Sequence, residues 1–185
     1  MMHAMRRAMK SGLACAGLVG LAAAMSAQAA AAQAPNWQTY SYSTDGFSAS
    51  FPTQPEVQKK NVDTDAGPFE LRTYIGTDGA VALIVGVCDY GNATAGKNPD
   101  DVLQGAKNGA LQNVSAHLLS ETKTTLGIYH GLTVEAESDQ LHFSLRIYMV
   151  GSVLYQTLVV VPLGKPYGDT ARFLDSFQLI ARTAP

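Results

Sequence analysis

The chain has 185 residues, with 13 basic and 15 acidic side chains, a formal net charge of −2 and 46% hydrophobic residues. This length is sufficient for one domain with a substantial core. The composition excludes the strong positive charge that nucleic-acid or anionic-lipid binding needs, so we expect no nucleic-acid partner.

The N-terminal segment has the three parts of a cleavable secretion signal. Three basic residues, all among the first ten, precede an apolar run from Gly12 to Met25. That run is shorter than the roughly 20 strongly apolar residues of a membrane-spanning helix. Ala27-Gln28-Ala29 then matches the A-x-A cleavage pattern. We therefore predict a signal peptide at 1–29, whose loss removes three basic residues and changes the net charge to −5.

A small, alanine-rich signal is typical of bacterial export, so we expect a periplasmic or secreted protein with no transmembrane segment after cleavage. The pair Arg6-Arg7 leaves both the general and the twin-arginine routes open. Cys15 resembles the cysteine of a lipoprotein box, but most of the apolar run follows it, which argues against lipidation. Because Cys15 leaves with the signal, we expect no internal disulfide in the mature domain.

Residues 37–185 predict a single α+β domain, which follows a small-residue, disordered tail at 30–36. Short runs that alternate apolar and polar residues, and that end at glycine, proline or an Asp-Gly pair, indicate strands. The predicted strands are, in chain order, 37–42, 47–51, 57–62, 69–75, 80–88, 118–123, 132–137, 141–149, 153–161 and 177–180.

Two of these strands are apolar on both faces, which is typical of strands that are covered on both sides. They are Ala80–Cys88 and Val153–Val161, and we place both in the centre of the sheet, with the Cys88 side chain buried. The strand Leu141–Met149 shows the clearest alternation, so one of its faces packs on the core and the other is polar.

One helix has a clear start signal. Asn98 is suited to cap free N–H groups, and proline is favoured at the first helical position. Asp100 and Asp101 suit the positive end of the helix dipole. We predict a helix at Pro99–Gln112 and a second, short helix at Thr170–Ser176.

Several segments resemble the PsbP-like superfamily. The resemblance rests on Arg146–Tyr148, Gly151, Tyr155, the closing Phe173–Phe177 and the opening Gly46–Pro52. It implies a central antiparallel β-sheet with helices packed on its faces, an α/β/α sandwich. It also implies a binding or assembly factor, because the characterised members of that superfamily are mostly non-enzymatic. Some of them serve photosystem II and others a nuclear GTPase.

The polar face of the hairpin at 132–150 holds the candidate site. A two-residue turn at Asp139-Gln140 places Glu137 opposite His142 and makes Arg146 diagonal to Glu135. Directly opposed side chains approach to about 5 Å, so we expect these four charged residues to form one cluster. Two carboxylates and an imidazole suit a divalent metal or a cationic ligand.

The other interpretation of this face is cross-strand ion pairing, each pair contributing less than about 1 kcal/mol. We favour it, because a metal site needs a third or fourth strong ligand and the sequence places none. The sequence also lacks a G-x-S-x-G nucleophile motif and a phosphate-binding loop. We therefore predict no catalytic residue and no cofactor.

Irregular segments carry binding on rigid scaffolds, so we predict partner contacts in the loop 89–98 and the turn Pro162–Pro166. The residues that we select in that loop are Asp89, Tyr90, Asn92 and Lys97. The function predicted is an exported, non-catalytic protein-binding or assembly module that docks on another exported or envelope protein. The alternative is a small-ligand or metal-binding periplasmic protein, a hydrolase among its versions, that uses the face formed by Glu135, Glu137, His142 and Arg146.

Overall fold

The structure is a computed structural model that describes residues 36–64 and 67–183. The predicted signal peptide at 1–29 lies outside the described residues, as does the predicted tail except for Asn36. No helix in the described part of the chain is long and apolar enough to cross a lipid bilayer.

In the described ranges, ten strands and two α-helices follow one another in an order close to the predicted one. The strands are β1 (Gln38–Tyr42), β2 (Phe47–Phe51), β3 (Glu56–Thr64), β4 (Gly67–Asp78), β5 (Val81–Asp89), β6 (His117–Leu126), β7 (Tyr129–Glu137), β8 (Leu141–Val150), β9 (Val153–Pro162) and β10 (Gln178–Leu179). The helices are α1 (Pro99–Asn113) and α2 (Thr170–Asp175), and a short 3₁₀ turn at Gly91–Thr94 precedes α1. The cap of α1 is as predicted, since the Asn98 side chain accepts a hydrogen bond from the Asp100 N–H at 3.0 Å.

Seven strands form one large antiparallel sheet in the order β3-β4-β5-β9-β8-β7-β6. The two strands predicted to be central, β5 and β9, are neighbours in its interior, and almost all their side chains are buried. This confirms that a doubly apolar strand is a strand covered on both faces. The strands β1, β2 and β10 form a separate small sheet.

The large sheet is covered differently on its two faces. On one face, α1 packs through side chains such as Leu103 and Ala106 against alternate residues of β7 and β8. On the other face lie α2 and the small sheet, which contribute Phe173 and the fully buried Phe47 and Phe51. The sequence predicted helices on both faces. The small sheet joins the second layer because β2 has strand partners on both sides and buries one apolar face.

Cys88 lies in β5 and only 1% of its surface is exposed, as predicted for a central strand. In the full-length chain its sulfur is disulfide-bonded. The expectation of no internal disulfide concerns the mature domain that remains after residues 1–29 are lost, and it stays a prediction.

A buried charged bridge joins the two sheets. Asp45, in the turn between β1 and β2, is 1% exposed, and its Oδ1 pairs with Arg72 Nη2 at 2.6 Å. Its Oδ2 accepts hydrogen bonds from Arg72 Nε at 2.9 Å and from the Tyr74 hydroxyl. The Tyr155 hydroxyl donates to the Asp45 carbonyl oxygen at 2.6 Å. The turn after β1 is thereby fixed to strands β4 and β9 of the large sheet.

Candidate functional site

The hairpin formed by β7 and β8 has the register that its turn predicts. Glu137 pairs with His142, Glu135 with Ser144, and Thr133 with Arg146. Because side chains alternate along a strand, all the polar members of these pairs share the face of the sheet that α2 partly covers.

His142 bridges the two glutamates of this face. Its Nε2 lies 2.9 Å from Glu135 Oε2, and its Nδ1 lies 3.1 Å from Glu137 Oε1. Ser144 donates to the same Glu135 oxygen at 2.7 Å. A carboxylate only accepts hydrogen bonds, so both contacts of the ring are hydrogen bonds when both ring nitrogens carry a proton. The geometry is therefore a bridge in which one imidazole ring lies between two carboxylates.

Arg146 does not join this group, which corrects the expected cluster of four residues. Its Nη2 pairs instead with Asp175 Oδ1 at 2.7 Å, at the end of α2. A diagonal neighbour on the next strand lies about 7–8 Å away, whereas Asp175 approaches from the layer above. The tertiary structure thus gives Arg146 a nearer carboxylate than the hairpin offers.

Two members of the bridge, Glu137 and His142, lie on one wall of a surface groove with a cavity volume of about 280 Å³. The hairpin contributes Glu137, His142 and Ser144, and Val161 lies at the end of β9. The opposite wall is the segment that leads from β9 to α2, and its groove-lining residues are Gly164, Lys165, Pro166, Tyr167 and Thr170.

Three contacts fix that segment, one of them to the hairpin turn and one to the end of β4. Leu163 donates its backbone N–H to the Gln140 carbonyl oxygen in the hairpin turn, at 2.8 Å. Lys165 donates its backbone N–H to the Pro162 carbonyl oxygen at 3.1 Å, which closes a turn. The Tyr167 hydroxyl donates to Asp78 Oδ2 at 2.9 Å, and its burial and this bond raise the pKa of Tyr167. The groove therefore has two anchored walls.

The polar residues of the groove do not form a serine–histidine pair. The Ser144 hydroxyl donates to Glu135 and not to His142, so the imidazole is not placed to activate that serine. The arrangement also does not favour a metal, since both ring nitrogens of His142 face carboxylates. Across the described ranges, no three histidine, cysteine or acidic residues form a group that could hold a metal ion. The groove is suited to hydrogen bonding and ion pairing.

The structure places the four selected loop residues in different environments. Asp89 accepts hydrogen bonds from the Gly91 N–H at 3.0 Å, the Ser152 hydroxyl at 2.8 Å and Arg182 Nη1 at 3.2 Å. Partial burial raises the pKa of Asp89, but these three bonds outweigh it, so the pKa is lowered. Asp89 is thus a structural anchor of the loop.

Tyr90 is 2% exposed and packs edge-to-face on Phe69, with 5.2 Å between the ring centroids. Its side chain is part of the core, so it is not available for the partner contact that the loop position predicted. Asn92 and Lys97 are exposed. Of the four residues, these two are the exposed ones.

Sequence reasoning did not connect the turn Pro162–Pro166 with the hairpin, although it selected both. The sequence feature that could have connected them is the apolar strand that ends at Val161. When that strand pairs with β8, Pro162 lies opposite Leu141, and the following turn comes to lie beside the hairpin end. Lys165, Tyr167 and Thr170 are the groove residues that this pairing adds.

Comparison with known proteins shows a relationship in structure only. No family model matches the sequence, and no curated protein matches it. The solution structure of cyanobacterial PsbP (CyanoP) from Synechocystis sp. PCC 6803 is similar, with a TM-score of 0.54 and 13% sequence identity. The match covers 83% of this chain and 98% of that chain.

At that identity the likeness shows the fold alone. The chain has a PsbP-like α+β fold, which consists of a seven-stranded antiparallel sheet, a small sheet and two helices. This confirms the fold that was predicted from the sequence resemblance to the PsbP-like superfamily.

Proposed function

We propose that this chain is an exported, non-catalytic binding or assembly module that docks on another exported or envelope protein. The groove between the hairpin end and the segment Gly164–Thr170 is its contact site. One observation carries the proposal. The groove is polar and has two walls, and its imidazole group already lies within hydrogen-bond distance of glutamate side chains.

The hydrogen bonds among the side chains of this face favour a binding function over a catalytic one. A catalytic base must be within hydrogen-bond reach of the proton that it removes, and both nitrogens of His142 already face glutamates. Glu135 also accepts a hydrogen bond from the Ser144 hydroxyl. Such a bridge is a fixed pattern of charge, and fixed polar groups in a concave surface provide orientation and specificity for a ligand.

Export to the periplasm or beyond is part of this proposal. It rests on the sequence at 1–29 and defines the compartment in which the partner must be sought. The mature protein is expected to begin near residue 30, and its mass after recovery from that compartment gives the cleavage point.

Site-specific photo-crosslinking in the native compartment tests the docking. A photoreactive phenylalanine analogue replaces Lys165 on the groove wall or, as a control, Lys59 on the edge strand β3. Both lysines are exposed, but Lys165 follows β9, whereas Lys59 lies on β3, which β4 and β5 separate from β9. We expect one crosslinked partner from position 165 and none from position 59. Equal crosslinking from both positions, or none from either, would contradict docking at the groove.

A small-ligand-binding function is the second candidate, and the groove volume favours it. About 280 Å³ is close to the lower end of the size of ligand pockets, roughly 300–1,000 Å³. Native mass spectrometry of the exported protein separates the two candidates. A bound small molecule, together with the absence of a crosslinked polypeptide at position 165, would favour this second function.

A further inference from the structure

We propose that the edge strand β6 pairs with β6 of a second copy of this chain, so that two large sheets join across a two-fold axis at Thr122. None of the residues that line the groove lies on β6, so this surface is additional to the docking site proposed above. The proposal follows from the open edge of β6, the exposed apolar residues of its hairpin and a match of charges in one register.

The strand β6 (His117–Leu126) is the last strand of the large sheet. It pairs with β7 on one side, and no strand of the described residues lies on its other side. Its pairing with β7 is irregular only between Leu118 and Ser120 and is regular from there to Leu126. An open edge presents a row of unpaired N–H and C=O groups. The regular stretch of β6 can therefore pair with a further strand.

The hairpin of β6 and β7 holds most of the exposed large apolar side chains. Among the described residues five such side chains are exposed, and three of them, Leu118, Leu119 and Ile128, lie in β6 or in the turn after it. The other edge strand, β3, contributes only Val57 to this group and presents the adjacent Lys59 and Lys60 to solvent. Edge lysines hinder pairing with another chain. The β6 edge is thus the more favourable of the two for self-association.

The backbone of β6 limits the registers in which two copies can pair. Leu126 and Tyr129 close a two-residue turn, and the pair that closes such a turn is hydrogen-bonded across the hairpin. Backbone groups alternate in direction along a strand, so Glu121, Lys123 and Thr125 direct their N–H and C=O groups to the open edge. A second β6 must bring these same residues into hydrogen-bonded pairs.

Among these registers, one places opposite charges face to face. With the two-fold axis at Thr122, Glu121 lies opposite Lys123 of the second copy, and the symmetry makes this pair twice. With the axis at Glu121 or at Lys123, two like charges oppose each other. Directly opposed residues lie about 5 Å apart, where opposite charges stabilise the pairing and like charges destabilise it. The charges of β6 therefore select the register centred on Thr122.

Contacts with α1 hold both charges on one face of the sheet. Glu121 Oε2 pairs with Lys107 Nζ at 2.5 Å, and Lys123 Nζ pairs with Asp100 Oδ2 at 2.6 Å. These four side chains carry no net charge, so two copies meet there without net repulsion. The Lys123 side chain is 75% exposed and is accessible to a second copy.

Sedimentation velocity of the exported mature protein tests the association. Between about 5 and 500 µM protein, we expect a concentration-dependent shift from monomer to dimer, since a short strand pair makes a small and weak interface. A protein that stays monomeric over this range overturns the proposal.

Two cysteine variants test the register. The Thr122→Cys side chains of two copies would oppose each other at about 5 Å, within reach of a disulfide. Thr124 would lie opposite Ser120 of the second copy, so two Thr124→Cys side chains would be about 14 Å apart along the strands. Under mild oxidation we expect a covalent dimer of Thr122→Cys, and none of Thr124→Cys or of the unaltered chain, whose Cys88 is 1% exposed. Equal crosslinking of the two variants, or none of either, overturns the register.

A charge reversal tests the pairing of Glu121 with Lys123. Lys123→Glu would place two glutamates opposite each other at both positions, so the dissociation constant of the dimer should rise at least about fivefold. The matched control is Lys59→Glu on β3, an exposed lysine of the other edge strand, and it should change the constant less than about twofold. Equal effects of the two substitutions contradict pairing through β6.

The photoreactive analogue, placed at position 122, identifies any other occupant of this edge. A crosslink from there to a different polypeptide, in place of a dimer, overturns self-pairing. Docking at the groove is read separately through position 165. A monomeric protein that still crosslinks a partner from position 165 loses this inference alone, and a dimeric protein that crosslinks nothing from position 165 loses only the docking site.

Discussion

Replacing Asp45 tests whether the bridge between the two sheets holds the fold together. The carboxylate is 1% exposed and binds Arg72 through two atoms, with the Tyr74 hydroxyl as a further donor. Asp45→Ala leaves the Arg72 guanidinium without its main partner. Removing one member of a buried ion pair costs about 3–5 kcal/mol, because the other charge stays buried and uncompensated.

Two features of the site reduce that cost. The Arg72 side chain is 20% exposed, so water screens part of its charge. Glu70, at 2.6 Å from Arg72 Nη1, remains as a partner. We therefore expect Asp45→Ala to lower the free energy of unfolding by about 2–4 kcal/mol. For a domain of this size, that corresponds to a decrease in Tm of about 5–15 °C.

Urea unfolding of the mature domain measures the effect. Trp37, the single tryptophan, packs against the core beneath the small sheet and reports its release by fluorescence. The matched control is Glu70→Ala, since the exposed Glu70 is the outer partner of the same arginine and its loss should cost less than about 1 kcal/mol. Equal losses for Asp45→Ala and Glu70→Ala would refute the bridge.

A double substitution separates the charge from the contacts. In Asp45→Ala combined with Arg72→Met, no buried charge is left over, so we expect the double variant to be more stable than Asp45→Ala alone. If the two losses simply add, the two side chains are not coupled and the reasoning fails.

The remaining predictions concern alkaline stability and the packing of the hairpin. Burial and the hydrogen bond to Asp45 raise the pKa of Tyr74, so above about pH 10 the unfolded chain loses this proton first and stability falls as pH rises. In urea unfolding between pH 9 and 11.5, Tyr74→Phe should flatten that decline by up to about 1.4 kcal/mol per pH unit; an unchanged slope contradicts it. Gly131→Ala should cost about 1–3 kcal/mol, because its Cβ would lie 2.8 Å from the Ile147 carbonyl oxygen and 2.5 Å from Tyr148. Gly168→Ala meets no atom within 4 Å and should be neutral or slightly stabilising, so thermal melts that show equal losses would refute the packing argument.

The hairpin shows how much of the candidate site follows from local sequence. Alternation along β7 and β8 and a two-residue turn determine which side chains face each other, because register and side-chain direction are coupled in a hairpin. The pairing of Glu137 with His142, and the approach of Glu135 to the same ring, needed no other part of the chain. The helix start at Asn98 and the central positions of β5 and β9 could likewise be predicted from local sequence.

Other features depended on residues that are distant in sequence. Arg146 turned from the hairpin to Asp175 because α2 packs on that face. Tyr90 lies in a loop by sequence, yet Phe69 and the core cover it. Asp45 lies in the turn between β1 and β2 and is buried against Arg72 and Tyr74 of β4, which are 27 and 29 residues further along the chain.

The sequence by itself determined the strands, their faces, the two helices and the pairing within the hairpin, since these depend on neighbours a few residues apart. Tertiary structure alone decided that the turn after β9 lies against the hairpin end and makes a groove there. It also decided that β1, β2 and β10 form a second sheet. The physical reason is that long-range packing chooses among partners that local patterns leave equivalent.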